Sequence, residues 1–261
     1  MNHVTSKDGT RIAFERVGSG PALILVDGAL CSRAFGPMPK LAAMLAPRFT
    51  VFWYDRRGRG DSGDTQPYEL TREVEDLAAL VDAAGGSAFA AGLSSGAALA
   101  LHAAASGVPF RKIVAYEPPY VAEGAPRPAS EHEAALQRLV TSGDRGGAVA
   151  YFMRTMVGVP APFVFMMKAM PWVWRKMKAV AHTLPYDAAV MSGFVVPKAR
   201  LAAVRAQTLV MHGSKTDARI QRAARAVAEA VPGARQQTLA GQTHNVKPEV
   251  LTPAMVDFLG P

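Results

Sequence analysis

The sequence predicts an α/β fold: a mostly parallel central sheet, entered through an N-terminal β-hairpin and interrupted after the sixth strand by a helical insertion. Three observations predict it. Short apolar runs bounded by turn residues recur along the chain, and amphipathic helical patterns alternate with them. One long segment, residues 118–203, abandons that rhythm for methionine, aromatic and proline residues.

Residues 3–17 alternate polar and apolar around Asp8-Gly9, a dipeptide suited to the positive φ angles of a tight turn, which gives the hairpin. Six apolar runs follow, at 22–26, 49–54, 87–91, 112–116, 207–212 and 235–239. Such runs suit strands buried on both faces, as in a parallel sheet. Between them lie helical patterns at 38–45, 70–83 (with Leu77, Leu80 and Val81 on one face), 95–105 and 218–230. Strand and helix alternate, so right-handed crossovers are expected.

The segment at 118–203 holds seven of the twelve methionines (153, 156, 166, 167, 170, 177 and 191) together with Phe152, Phe163, Phe165, Trp172 and Trp174. Pro160, Pro162, Pro171 and Pro185 would cut it into short helices. The expected organisation is a core of residues 1–117 and 204–261 with a helical cap at 118–203. The cap's methionine and aromatic side chains would line an apolar pocket.

At 261 residues and 49% apolar composition the chain can fill one core. A single cysteine, Cys31, excludes an internal disulfide framework and a cysteine-cluster metal site. The polar start MNHVTSKDGTR lacks the apolar stretch of a signal peptide, and no run approaches bilayer-spanning length, so the reading is a cytoplasmic protein with no membrane partner. The net charge of +8 comes from basic residues read as scattered among acidic ones, with no basic tail or basic-aromatic motif. That argues against nucleic acid and leaves a solvated surface charge able to attract anionic substrates.

The chemistry centres on Gly92-Leu93-Ser94-Ser95-Gly96. A strand is expected before it and an Ala/Leu-rich helix after it, so Ser94 falls on a strand-to-helix turn where a strained backbone lifts its Oγ above the sheet. The Ser95 amide opens the helix and points toward developing negative charge. A serine hydroxyl needs a base to take its proton. His244, in Ala-Gly-Gln-Thr-His-Asn after the last strand, can be brought over the carboxyl edge of the sheet, where open α/β sheets place their sites. His212 reads as a satisfied core histidine.

On four ordered motifs the sequence resembles the α/β-hydrolase superfamily over nearly its full length. Gly92–Gly96 matches the nucleophile elbow, Asp27-Gly28-Ala29 the oxyanion loop after the third strand, Asp55-Arg56-Arg57-Gly58-Arg59-Gly60-Asp61-Ser62 the D-x-R-G-x-G-x-S turn, and Gly241–His244 the histidine loop. The resemblance implies the α/β-hydrolase fold and acyl-enzyme chemistry on a small-molecule substrate without metal or organic cofactor. It implies backbone amides of Ala29 and Ser95, beside Gly28, as oxyanion donors.

Two departures follow. Asp27 stands where many relatives have histidine, and the expected role is a structural ion pair with Arg56 or Arg57. The acid after the seventh strand falls one residue late, at Asp217. Glu117, in Ala-Tyr-Glu-Pro-Pro-Tyr after the sixth strand, occupies the position another branch of the superfamily uses, and it is the preferred partner of His244. The leading expectation is an esterase or lactonase type of serine hydrolase. The alternatives are a C–C bond hydrolase, a lyase, a cofactor-free perhydrolase or a non-catalytic binding protein on the same fold.

Overall fold

The computed structural model describes residues 2–120 and 129–260. In the hairpin, β1 (Asn2–Thr5) and β2 (Arg11–Val17) pair antiparallel around Gly9 at φ 85°. Then come β3 (Ala22–Val26), α1 (Met38–Leu45), β4 (Thr50–Tyr54), α2 (Leu70–Ala83), β5 (Ala88–Leu93), α3 (Ser95–Ala105) and β6 (Phe110–Tyr116). After the insertion the chain resumes with β7 (Gln207–Gly213), α10 (Ala218–Ala230), β8 (Arg235–Leu239) and α11 (Pro248–Leu259).

The eight strands form one sheet in the order β1-β2-β4-β3-β5-β6-β7-β8, parallel from β4 onward. Leu77, Leu80 and Val81 of α2 join α3 and α10 in one buried layer, and α1 and α11 form the other. Every strand between β3 and β7 is therefore covered on both sides, which explains its continuous apolar sequence. The run at 235–239 is a correction: β8 is an edge strand, with Arg235, Gln236, Gln237 and Thr238 exposed and only Leu239 buried. No strand pairs beyond it among the described residues, so polar side chains are tolerated there.

Between β6 and β7 lie α4 (Ala129–Thr141), α5 (Arg145–Tyr151), a π-helical turn (Phe152–Met156), α6 (Ala161–Lys168), α7 (Pro171–Ala179), α8 (Leu184–Val190) and α9 (Lys198–Leu201). Residues 121–128 of the predicted insertion lie outside the described residues. Pro162, Pro171 and Pro185 stand at the N1 or N2 positions of α6, α7 and α8, where a missing N–H costs nothing. Prolines thus start these helices as well as separating them. Leu136, Val149, Phe152, Met177 and Leu184 form the insertion's own core, and Leu30 of the loop after β3 packs into it.

Strand order reverses around β3: the chain goes from β3 back to β4, then crosses to β5 on its other side. A crevice forms at such a switch point beyond the carboxyl ends of the strands. Residues following β3, β5, β6, β7 and β8 all meet there.

Candidate active site

The crevice floor is the turn from β5 into α3. Ser94 sits there at φ 54°, ψ −127°, a conformation that a non-glycine residue adopts only when the surroundings impose it. Its N–H donates to the Tyr116 carbonyl at 2.9 Å, which ties the turn to β6. A Cβ at Gly92 would collide with the Gly96 carbonyl oxygen, and one at Gly96 with the Val26 carbonyl oxygen. The two glycines flanking the serine are therefore dictated by close backbone approach.

His244 Nε2 lies 3.2 Å from Ser94 Oγ, and His244 Nδ1 lies 2.7 Å from Glu117 Oε2. A carboxylate only accepts, so Nδ1 carries the proton and Nε2 presents its lone pair to the hydroxyl. Glu117 is fully buried at φ 46° just past β6. Its Oε1 accepts from the Gly213 amide at 2.8 Å and the Thr216 hydroxyl at 2.5 Å. Burial pushes the Glu117 carboxyl up, but the hydrogen bonds from His244, Gly213 and Thr216 outweigh it and hold it below the ordinary glutamate value. The histidine loop is pinned where the Tyr116 hydroxyl donates to the Thr243 carbonyl at 2.6 Å.

Of the two acids singled out in the sequence, the fold brings Glu117 to His244 and leaves Asp217 elsewhere. Asp217 caps α10, accepting from the Arg219 amide at 2.8 Å and pairing with the Arg219 guanidinium at 3.1 Å. Its place one residue past Thr216 makes it the N-cap of a helix that leads away from the histidine.

Gly28 adjoins the serine: a Cβ placed on it would lie 3.2 Å from Ser94 Cβ. Ala29, half-buried, follows, and then Leu30 at φ 61°. Ser95 is the first residue of α3, so its N–H has no acceptor one turn back in the helix. Three of the four non-glycine residues with positive φ among the described residues, Leu30, Ser94 and Glu117, belong to this site.

The expected pairing of Asp27 with Arg56 or Arg57 is not what forms. Arg56 is held by Glu73 at 2.6 and 2.7 Å and by Asp187 at 2.7 Å, and Arg57 by Asp76 and Asp8. Asp27 Oδ1 accepts the Gly28 amide at 2.9 Å, while Oδ2 makes no well-formed hydrogen bond among the described residues. Burial pushes the Asp27 carboxyl up to about 7, against the pull of the Gly28 amide and the Arg59 charge. Burial and the Asp27 charge push the neighbouring Cys31 thiol well above its ordinary value.

A measurable pH dependence follows from Asp27. Between about pH 4 and pH 7 the folded protein keeps a proton on Asp27 that the unfolded chain has released, so stability falls as pH rises through that window. Asp27→Asn retains an acceptor for the Gly28 amide and removes the titration. Its stability gain over the wild type should be larger at pH 8 than at pH 5 by roughly 2–3 kcal/mol, read by urea unfolding at the two pH values. Equal gains would show that Asp27 is already ionised at pH 5.

Sequence reasoning missed Asp187. This residue of α8 is fully buried, accepts from the Ser95 hydroxyl at 2.7 Å and is bonded by Arg56 and Arg59 at 2.7 Å each. Arg59 also donates to the Gly28 carbonyl at 2.7 Å and to the Cys31 carbonyl at 3.3 Å. One carboxylate of the insertion thus ties the Ser95 side to the Gly28 side of the crevice. Burial pushes its carboxyl up, and the Arg59 and Arg56 charges more than reverse that. The only signal in the sequence was its position, the first acidic residue after a long stretch without one. Asp187→Asn would leave the buried Arg59 guanidinium without its ion-pair partner and Arg56 with Glu73 alone, and is expected to cost about 3–5 kcal/mol, a fall of roughly 10 °C in Tm by calorimetry. A change below about 1 kcal/mol would mean the network reorganises around the gap.

A cleft of about 460 Å³ lies within the insertion, lined by Ala150, Tyr151, Arg154, Thr155, Val159 and Ala161. Ser94, His244 and Glu117 do not line it. Among the described residues no group of three or more His, Cys, Asp or Glu is arranged to hold a metal ion, and no helix is long and apolar enough to cross a membrane.

Residues 21–252 match the model of the alpha/beta hydrolase family. A solved alpha/beta hydrolase from Sphaerobacter thermophilus DSM 20745 is similar at 52% identity and a TM-score of 0.92, over 99% of this chain and 100% of that one. An enol-lactonase from Burkholderia xenovorans LB400 (21% identity, TM-score 0.75, all of both chains) and a thermophilic esterase from Thermogutta terrifontis (22%, 0.75, 99% and 97%) share the fold. With the eight-stranded sheet, the elbow after β5 and a family match spanning most of its length, this chain belongs to the alpha/beta hydrolase family.

Proposed function

We propose that the protein is a serine hydrolase that cleaves a carboxylic ester or lactone bearing an apolar group, through an acyl-enzyme intermediate. The observation that carries this reading is the continuous chain from Ser94 Oγ through His244 to Glu117, at 3.2 and 2.7 Å. In this reading His244 Nε2 takes the hydroxyl proton as Ser94 Oγ attacks the carbonyl carbon. The imidazolium that forms is stabilised by ionised Glu117, and the oxyanion is held by the amides of Ala29 and Ser95. His244 then gives its proton to the departing alcohol. A water, deprotonated by the same nitrogen, releases the acid and restores Ser94.

The helices between β6 and β7 act as the cap. Ala29, Leu30 and Phe35, packed against the insertion's core, supply an apolar wall for the substrate's acyl or alcohol part. The esterase and enol-lactonase that share the fold use substrates of this type by their names, which adds weight to the ester or lactone class. A panel of short p-nitrophenyl esters and of γ- and δ-lactones tests the reading. Turnover of at least one class, with one equivalent of an alkyl phosphonate attached to Ser94 by peptide mass mapping, is the expected result. A protein inert to the panel and unlabelled at Ser94 would overturn it.

A further inference from the structure

Five large apolar side chains stand in solvent on α6, on α7 and on the turn between them. Phe163 is 56% exposed, Phe165 74%, Met166 52%, Met170 37% and Trp172 59%. Of the five, Trp172 touches Phe35 edge-on, with 6.1 Å between ring centroids, and still leaves more than half of its surface exposed. Val164 is the one fully buried residue of α6, and the insertion's core is built by other elements. A cluster of exposed apolar side chains on this scale marks a contact surface.

The charge around it specifies the partner. From Arg145 to Tyr186 the chain carries Arg145, Arg154, Lys168, Arg175, Lys176 and Lys178 and no aspartate or glutamate. The expectation of intermixed charge fails in this stretch. None of the six cations forms an ion pair among the described residues. Lys168 instead sits 5.4 Å from the centre of the Trp174 ring. A second copy presenting the same face would set like charges against each other. Short helices with Phe, Met and Trp exposed beside unpaired Lys and Arg suit the interface of an anionic bilayer, where the apolar side chains enter the headgroup boundary and the cations meet phosphates.

We propose that the α6–α7 face docks on the surface of an anionic phospholipid bilayer. Phe163, Phe165, Met166, Met170 and Trp172 enter the interface, and Lys168, Arg175, Lys176 and Lys178 engage the headgroups. The contact is peripheral, because no helix among the described residues can cross the membrane. The cleft lined by Tyr151, Arg154 and Ala161 begins at the first residue of α6, so docking holds its rim at the lipid surface.

The test is co-sedimentation of the full chain with vesicles of phosphatidylcholine alone, or containing about a third phosphatidylglycerol. Binding to the anionic vesicles only, released by raised salt, is the expected result. Arg175→Glu/Lys176→Glu should weaken it by at least about tenfold, at roughly fivefold per cation lost, and Phe165→Ser/Trp172→Ser should weaken it severalfold. All four positions are exposed, and an unchanged Tm verifies that the variants fold. Equal binding to neutral vesicles, or none to either, overturns the proposal. So does a dimer in analytical ultracentrifugation that Phe165→Ser/Trp172→Ser dissolves, because that assigns the face to a second copy. Binding is measured without turnover, so this result is independent of the hydrolase reading.

Discussion

Ser94→Ala is expected to lower kcat/KM for a p-nitrophenyl ester by about 10⁴–10⁶-fold, the range seen when the nucleophile is removed from a Ser-His-acid unit. The hydroxyl next to it in the chain is not free to replace it. Ser95, the adjacent residue, donates its hydroxyl to Asp187 and receives a hydrogen bond from Arg56 at 3.3 Å, and it is almost fully buried. The substitution removes one oxygen from a half-buried position and leaves the backbone as it was, so Tm should move by no more than about 2 °C. Steady-state kinetics on both proteins, with the variant prepared apart from the wild type, measures the effect. A loss below tenfold would mean that ester turnover does not pass through Ser94.

Glu117→Gln is expected to lower kcat by about 10³–10⁴-fold, and the hydrogen bonds at the site give the reason. Gly213 N–H and Thr216 Oγ–H both donate toward Oε1, so the glutamine amide must place its oxygen there. Its NH₂ then faces His244 Nδ1, which can only accept. The imidazole is driven to the tautomer with hydrogen on Nε2, and that nitrogen can no longer take the Ser94 proton. Asp217→Asn is the control. Asparagine caps a helix as well as aspartate does, and the side chain is about half exposed, so kcat should stay within about twofold. The opposite pattern would assign the acid role to Asp217.

The parts of the molecule with strong periodicity were legible from sequence. Leu70–Ala83 and Ser95–Ala105 begin and end in the fold where their patterns do, because each has one apolar face or an all-apolar surface buried on the sheet. No helix is predicted at 248–259, where Pro248 and Pro253 stand in the sequence and α11 forms. Pro248 stands at the helix start, Pro253 is tolerated inside, and Leu251, Met255 and Leu259 bury one stripe against α1. Ser94, His244 and Glu117 could be named because each lies just past a strand end, where local motifs and chain order are informative. Asp187 could not, since its partners Arg56, Arg59 and Ser95 lie some ninety to one hundred and thirty residues earlier and no local pattern links them. Composition likewise could not show which aromatic side chains of the insertion stand exposed, since it says that a helix is apolar and not which neighbour covers it.

The Asp187 carboxylate also bears on how variants of this chain can be built. Helices α4–α9 look exchangeable, since they leave the sheet after β6 and rejoin it before β7. Their transplantation into another scaffold, or their replacement by foreign helices, would separate one anion from the Arg56 and Arg59 guanidiniums it neutralises. A chimera drawn at the strand boundaries alone would carry a buried charge imbalance into both halves. The smallest portable unit therefore includes the turn at residues 55–62 and Glu73 of α2 together with α8, and substitutions at positions 56, 59 and 187 are expected to be tolerated in concert rather than one at a time.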